Sequence, residues 1–225
     1  MRLKQKYDVR ISTFISFAGE EVLRMYGFRP KISEISHGKY YEEIFLSRDE
    51  GASFPITGRL QRGKYVALVV SPCSANTVAK IACGIADTIV TNAVSQAEKT
   101  GVPIILLPTD RTRSEAETFL PYLVGRELCK GCEECPAITV CKLSAITLVD
   151  GKARINLSKC LGCGLCLQAC SFGAIVFHQK VKTRAREIDV RNVRELRKRR
   201  LVIAKNPSEL EKVLTRFLKG LAKAR

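Results

Sequence analysis

Residues 160–175 read Cys-Leu-Gly-Cys-Gly-Leu-Cys-Leu-Gln-Ala-Cys-Ser-Phe-Gly-Ala-Ile, and they form the second copy of an internal repeat. The first copy, residues 129–146, reads Cys-Lys-Gly-Cys-Glu-Glu-Cys-Pro-Ala-Ile-Thr-Val-Cys-Lys-Leu-Ser-Ala-Ile. Each copy has three cysteines separated by two residues, and both copies end in Cys-x-x-x-Ala-Ile. Eight of the ten cysteines of the chain therefore lie between residues 129 and 170, which is unlike a disulfide framework spread over a small secreted domain.

The second copy has the cysteine spacing of the bacterial ferredoxin run, with serine in place of the proline after the last cysteine, whereas the first copy has two extra residues before its fourth cysteine. In two-cluster ferredoxins the fourth ligand of each [4Fe–4S] cluster comes from the other copy. The sequence therefore predicts two clusters with the ligand sets Cys129, Cys132, Cys135 and Cys170, and Cys160, Cys163, Cys166 and Cys141. A pair of zinc sites fits less well, because structural zinc prefers cysteine pairs that close one four-ligand shell.

The chain on either side of the repeat alternates apolar runs with helical patterns. Such an alternation indicates buried strands joined by helices, and hence a doubly wound parallel sheet. The predicted strands are Val9–Phe17, Lys64–Ser71, Val102–Leu107 and Arg200–Lys205. The predicted helices cover Ala18–Tyr26, a stretch with Val78, Ile81, Ala82 and Ile85 on one face, and a last helix with Leu210, Val213, Leu214, Phe217 and Leu221 on one face.

The pattern changes at Gly125 and returns after Lys180. We therefore predict an α/β domain formed by residues 1–124 and 181–225. A ferredoxin-like α+β domain, residues 125–180, is inserted before its last strand and helix. Cys73 and Cys83 lie outside the repeat, and we interpret them as small buried residues rather than ligands.

The formal net charge is +16, of which two clusters with four thiolates each would remove about four units. This charge fits a solvated basic surface, an anionic substrate, an acidic electron-transfer partner or nucleic acid. Nucleic acid is the least favoured, because the chain has no tryptophan and no recognised binding module. No apolar run approaches the ~18 residues of a membrane span, and no secretion signal is evident, so we expect a cytoplasmic protein without a membrane partner.

Small polar residues follow the second predicted strand. Ser71-Pro-Cys-Ser-Ala-Asn-Thr77 lies between that strand and the start of a helix. Free backbone N–H groups and the helix dipole at such a place favour an anionic ligand, although Ser74 or Asn76 can equally be a plain helix cap. The residues alone leave both readings open.

Residues 71–93 read Ser-Pro-Cys-Ser-Ala-Asn-Thr-Val-Ala-Lys-Ile-Ala-Cys-Gly-Ile-Ala-Asp-Thr-Ile-Val-Thr-Asn-Ala. This stretch resembles the P-x-S-A-N-T signature of the flavoprotein family that includes phosphopantothenoylcysteine decarboxylase and flavin prenyltransferases. Within that family the chain most resembles the archaeal flavoproteins and the iron–sulfur dihydromethanopterin reductases. The resemblance covers nearly the whole chain and includes Ala18–Gly27, Gly51–Pro55 and Asp189–Val193.

The resemblance implies a doubly wound flavoprotein domain that binds FMN near Ser71, Ser74, Ala75, Asn76 and Thr77, with Ser16 at the flavin phosphate. It also implies a homo-oligomer, commonly based on a trimer. The implied activity is an oxidoreductase in which ferredoxin or a similar donor reduces the clusters, the clusters reduce FMN, and dihydromethanopterin accepts a hydride. The alternative is an electron-transfer relay between protein partners without a substrate of its own.

The chain departs from the family in two places. Members usually begin with one more strand and a glycine-rich loop that helps to hold the flavin phosphate. This chain starts after that element. Either the true start lies upstream or the phosphate site is built differently. The decarboxylases also have a histidine before the signature, where this chain reads Thr57-Gly-Arg-Leu-Gln-Arg62. We therefore do not expect decarboxylation, and no catalytic side chain is assigned.

Overall fold

The computed structural model describes residues 2–199 and 201–223. Arg200, the first residue of a predicted strand, and the side chain of Leu221, in the predicted face of the last helix, lie outside the described residues. The α-helices are α1 (Arg2–Tyr7), α2 (Phe17–Met25), α3 (Ile32–Ile35), α4 (Ala75–Ala82), α5 (Ile89–Thr100), α6 (Pro136–Thr139), α7 (Leu165–Ala169), α8 (Glu187–Arg197) and α9 (Pro207–Lys223).

Short 3-10 helices cover Arg29–Lys31, Ser47–Asp49 and Pro55–Arg62. The β-strands are β1 (Thr13–Ile15), β2 (Ile44–Leu46), β3 (Leu68–Cys73), β4 (Ile104–Pro108), β5 (Ala116–Phe119), β6 (Leu123–Val124), β7 (Ile146–Val149), β8 (Lys152–Ile155), β9 (Ile175–Val176), β10 (Lys180–Thr183) and β11 (Leu201–Ile203). No described helix is long and apolar enough to span a bilayer.

The chain forms two compact units. The α/β unit comprises the residues up to Phe17, Ser33–Glu115 and the residues from Arg184 onward, and the cysteine-rich unit comprises Ala18–Ile32 and Ala116–Thr183. The cysteine-rich unit is therefore larger than the predicted insert of residues 125–180, and it includes a segment that we had assigned to the α/β domain. The reason is local packing, because the backbone at Gly27 lies directly against Gly162.

The α/β unit contains a parallel sheet of order β11–β4–β3 and a separate parallel pair, β1–β2. The central strand β4 is an uninterrupted apolar run, and Ile104, Ile105 and Leu106 are all buried because both faces of the sheet are covered. The predicted α/β class is thus confirmed. Helix α5 was not predicted from the sequence, because three of its five buried residues are alanine or threonine, which give a weak apolar signal.

Helices position the end of β3 within this unit. Helix α4 follows β3 directly and packs against α5 and α8. Thr88 and Thr91 form a reciprocal capping box at the start of α5, and Gly101 closes its end at φ +70°. The resulting core includes Val78, Ile81 and Leu106 together with Val193 and Leu196 from α8.

The cysteine-rich unit is built from antiparallel strand pairs. These pairs are β5–β10, β6–β9 and β7–β8. The short helices α6 and α7, one from each repeat, pack against each other. A small core of Tyr122, Ala137, Ile146, Ala153 and Ile175 lies beneath the cysteines.

Leu106→Ala should lower the free energy of unfolding of the α/β unit by about 2–5 kcal/mol, because the Leu106 side chain is completely buried in the central strand and its loss leaves a cavity. Val202→Ala in the neighbouring strand is the matched control, since 43% of Val202 is exposed. We expect the control to change stability by less than about 1 kcal/mol in denaturant titrations followed by circular dichroism. Equal losses in the two variants would contradict the assignment of the core.

Candidate functional site

The structure brings one predicted ligand set together around a cavity. Cys129, Cys132 and Cys135 of the first repeat and Cys170 of the second line the same small cavity. Apolar side chains, including Leu148 and Phe172, complete its wall. Three thiols from one loop and one from the other repeat are the donor set of a ferredoxin-type cluster, so the residues present fit a [4Fe–4S] group.

The three cysteines of the second loop lie close together. Cys160, Cys163 and Cys166 lie close enough to interact electrostatically: burial first, and then the neighbouring Cys160 and Cys163, raise the pKa of Cys166. The pKa of Tyr122 is also raised, mainly by burial and further by these three cysteines. Cys141 of the first repeat packs against the same small apolar core as Cys160 and Cys166, and Cys129, Cys135 and Cys170 of the other set pack against it as well.

Backbone N–H groups point at the cysteine sulfurs. The N–H of Ala153 donates to Cys129 Sγ at 3.3 Å, and that of Ala145 donates to Cys141 Sγ at 3.3 Å. The N–H of Gly162 donates to Cys160 Sγ at 3.4 Å. The bonds from Ala153 and then from Gly131 hold the pKa of Cys129 below its usual range, because they stabilise the thiolate. Hydrogen bonds to sulfur are also one of the means by which a protein sets a cluster's reduction potential.

Within residues 2–199 and 201–223, no group of three or more His, Cys, Asp or Glu side chains is arranged to hold a single metal ion. One zinc ion with Zn–S bonds of about 2.3 Å would draw its sulfur ligands to within about 4 Å of one another. A cubane instead places each thiolate on a different iron, so its ligands stand further apart. Three thiols from one loop with a fourth from the other repeat are the donor pattern of a ferredoxin cluster.

Glycines in the two cysteine loops permit close backbone contacts. Gly131 and Gly162 both have φ +65°. A Cβ atom at Gly131 would lie 2.1 Å from the carbonyl oxygen of Gly151, and one at Gly162 would lie 2.5 Å from the nitrogen of Gly27. The sequence reading did not foresee that residues 24–27 cover the second loop. The C-terminal end of an amphipathic helix gives no signal of the surface on which it packs.

Two side chains attach the end of helix α2 to this unit. Arg24 Nη2 donates to the carbonyl oxygen of Ser158 at 2.5 Å, two residues before Cys160. The hydroxyl of Tyr26 donates to the carbonyl oxygen of Phe119 at 2.5 Å. Helix α2 therefore forms part of the wall around the second cysteine loop.

The segment that resembles a flavin site lies in the α/β unit. Ser74 is the N-cap of α4, and its Oγ accepts a hydrogen bond from the N–H of Thr77 at 3.3 Å. Ser71, Ser74 and Asn76 are exposed, whereas Ala75 and Thr77 are half-buried. The cap thus has a structural role, and exposed polar atoms remain beside it at the N-terminus of an eight-residue helix, which suits an anionic flavin. Ser16 directly follows β1 and is half-buried.

The region where the decarboxylases have a histidine is a 3-10 helix here. Thr57 is buried, and its Oγ1 donates to Asn92 Oδ1 at 2.6 Å. This contact ties the segment to α5. The side chain at this position thus serves packing rather than proton transfer.

The two cysteines outside the repeat differ in environment. Cys73 ends β3 and is fully buried, and burial raises its pKa to about 12, so its thiol stays neutral and unreactive. Cys83 is exposed at the end of α4, which makes its predicted burial wrong. The helix ends there instead of continuing into the core.

Gly162→Ala should reduce the iron content and the stability of the cysteine-rich unit. The new methyl group would overlap the backbone of residues 24–27, and the alanine would be forced into a left-handed backbone conformation. Gly173→Ala is the matched control, since Gly173 has φ +61° but open space around it. The control should lose only about 1–2 kcal/mol and keep its iron. Iron analysis and thermal unfolding of the purified proteins measure both effects; similar results for the two variants would contradict the close contact.

Comparisons with known proteins identify both a flavoprotein domain and an iron–sulfur domain in this chain. A family model described as Flavoprotein matches residues 2–114, and one described as 4Fe-4S binding domain matches residues 153–176. A dihydromethanopterin reductase (acceptor) of Methanosarcina mazei is 44% identical over 187 residues, which are 83% of this chain and 77% of that protein. A dihydromethanopterin reductase (acceptor) of Methanocaldococcus jannaschii is 44% identical over 211 residues, which are 93% of this chain and 85% of that protein.

A solved structure shares the fold. DmrB of Burkholderia xenovorans, described as a cubic protein cage for redox transfer and solved in complex with FMN, superposes with a TM-score of 0.59. It is 23% identical, and the match covers 98% of this chain and 88% of that one. The expected combination of a flavin domain with [4Fe–4S] chemistry, and the expected class of oxidoreductase, are therefore confirmed. The chain belongs to the flavoprotein family, as a member that carries a 4Fe-4S binding domain.

Proposed function

We propose that this chain is a reductase that receives single electrons at two [4Fe–4S] clusters, passes them to FMN and reduces a pterin, most specifically dihydromethanopterin to its tetrahydro form. The observation that carries the proposal is the 44% identity to the Methanocaldococcus jannaschii reductase. That alignment covers 93% of the chain, so it includes both the P-x-S-A-N-T segment and the cysteine repeats.

The cysteine side chains would hold the clusters in two crossed sets. One set is Cys129, Cys132, Cys135 and Cys170, and the other is Cys160, Cys163, Cys166 and Cys141. The shared cavity of the first set supports this assignment. Thiolates are the required ligands, and the N–H groups of Ala153 and Gly162 keep the sulfurs oriented and partly neutralise them.

The segment Ser71–Thr77, with Ser16, would hold the flavin, which when bound supplies exchange between one-electron and two-electron chemistry. Ser74 fixes the start of α4 through its cap, so the first backbone N–H groups of the helix are held in place. The exposed side chains of Ser71 and Asn76 are available as hydrogen-bond partners of a ligand. The buried thiol of Cys73 beneath them stays neutral, so it adds no charge to the site.

The proposed partners follow from the relatives. The pterin is the substrate in the names of the two reductases, and ferredoxin or a similar one-electron carrier would be the donor. A homo-oligomer is supported by the cage described for DmrB, although the number of subunits in this protein is not assigned. We place the protein in the cytoplasm, where thiolate ligands stay reduced.

An electron-transfer relay without its own substrate is the second candidate. Exposed apolar side chains flank the cysteine loops, and such side chains favour transient contacts with other proteins. They are Leu161, Leu165, Leu167 and Phe172, each between 41% and 50% exposed. A relay would pass electrons to a protein acceptor without reducing a pterin.

Turnover under anaerobic conditions separates the two functions. With an artificial one-electron donor, the purified protein should oxidise the donor and convert dihydromethanopterin to the tetrahydro product, which is followed by chromatography. Electron transfer to a protein acceptor, combined with no pterin reduction, would favour the relay. A protein that contains zinc in place of iron would contradict both functions.

Cys170→Ser should remove about half of the iron, because one of two clusters with about four irons each loses its fourth thiolate. Cys83→Ser is the control, since Cys83 is exposed and lies in the α/β unit. Iron and sulfide analysis together with the visible spectrum measure the result. Full iron content in Cys170→Ser would contradict the proposed ligand set.

A further inference from the structure

We propose that the two cluster sites are electrostatically unequal, so that a single electron resides preferentially at the site of the second repeat. This inference rests on the proposed function and adds a direction to it. Arg24, Glu133 and Glu134 are the positioning residues that create the difference. They touch neither flavin nor substrate; they set the local potential at the cysteine loops.

Charge is distributed unevenly between the two halves of the repeat region. Residues 116–150 contain five acidic and three basic side chains, whereas residues 151–183 contain five basic side chains and no acidic one. Reduction adds one negative charge to a cluster, so nearby acids oppose it and nearby bases favour it. Lys152 of the second segment nevertheless acts on Cys129 of the first site, and Lys180 is paired with Glu117, so the contrast between the sites rests on the charges at the cysteine loops themselves.

The cysteine loops themselves repeat this contrast. Glu133 and Glu134 lie between Cys132 and Cys135 and are both exposed. The second loop has Gly164 and Leu165 in the same positions. Two carboxylates therefore stand within the first loop, and the second loop has none.

Arg24 adds a positive charge to the second site. Its guanidinium donates to the carbonyl oxygen of Ser158, next to the loop that begins at Cys160. The Nε atom of Arg24 is buried and has no hydrogen-bond partner among the described residues. The hydrogen bond of the guanidinium thus goes to a backbone carbonyl oxygen and not to a carboxylate.

Cations near the first site weaken this contrast but do not reverse it. Lys152 and Arg126 both act on Cys129. However, Arg126 lies 4.0 Å from the carboxylate of Asp150, and Lys130 shares its loop with Glu133 and Glu134. Arg126 and Lys130 thus have acids beside them, whereas Lys152, whose Nζ donates to the carbonyl oxygen of Arg126, remains a positive charge at the first site.

Exposure to water acts in the same direction. Cys163 is exposed, whereas the other seven cysteines of the two sets are half-buried. Water at a thiolate ligand stabilises the more negative, reduced state.

The redox step is the movement of one electron from the first site to the second: the first is oxidised by one electron, the second is reduced by one, and no bond breaks. A one-electron carrier supplies the electron.

The test is an anaerobic redox titration of the complete protein at low ionic strength, followed by electron paramagnetic resonance. Two midpoint potentials should appear. They should differ by at least about 59 mV, which corresponds to a tenfold equilibrium constant for the transfer of one electron from one cluster to the other. The separation should narrow as salt is added, because exposed charges are screened. A single midpoint for both clusters would overturn the inference.

Substitutions test which residues set each midpoint potential. The double substitution Glu133→Gln and Glu134→Gln should raise only the lower midpoint, and Arg24→Gln should lower only the upper one. Arg24→Lys keeps the charge and should restore the upper midpoint, which a purely structural role of Arg24 would not predict. Glu117→Gln, which removes a charge that is paired with Lys180 in the β5–β10 hairpin, is the control and should move neither.

The remaining outcomes also test the inference. Movement of the wrong midpoint, or of both by the control, would overturn the inference, as would equal shifts in Arg24→Gln and Arg24→Lys. Equal potentials in a protein that still reduces the pterin would leave the reductase standing. Absence of iron would instead overturn the proposed function itself.

Discussion

The cysteine-rich unit depends on one constraint, namely that the cavity lined by Cys129, Cys132 and Cys135 of the first repeat is completed by Cys170 of the second. The cavity can form only when the two copies are folded against each other. The packing of α6 on α7 and the small core under Tyr122 and Ile175 hold the copies in this arrangement. The strand pairs are short, and two-stranded pairs of this size have little stability of their own. Bound clusters would therefore contribute to folding as well as to redox chemistry.

Much of this could be predicted because the signals are local. The spacing of the cysteines predicts which sulfurs belong together, and the apolar run of Ile104 to Leu107 predicts a buried central strand. Strand β5 could not be predicted in the same way, since all four of its residues are exposed and carry no apolar alternation. The boundary of the cysteine-rich unit was missed for that reason, because β5 and β10 extend the unit beyond residues 125 and 180.

The position of residues 18–32 is the other feature that sequence reasoning did not find. An amphipathic helix shows that one face will be buried, but not by which partner. Here the partner is the second cysteine loop, where the absence of side chains at Gly27 and Gly162 allows two backbones to meet. Each glycine taken alone indicates only a turn or a cap. The contact needs both, and residues so far apart in sequence leave no periodic signal.

The order of elements along the chain has a consequence for synthesis in the cell. Strand β11 pairs with β4, and α8 supplies Val193 and Leu196 to the same core, yet both elements follow the whole cysteine repeat. During translation, the edge of β4 that β11 will occupy therefore stays uncovered while the cysteine-rich segment emerges. An uncovered edge next to an apolar face is where nascent chains associate wrongly. The time needed to translate the repeat therefore sets how long that edge stays open to wrong association.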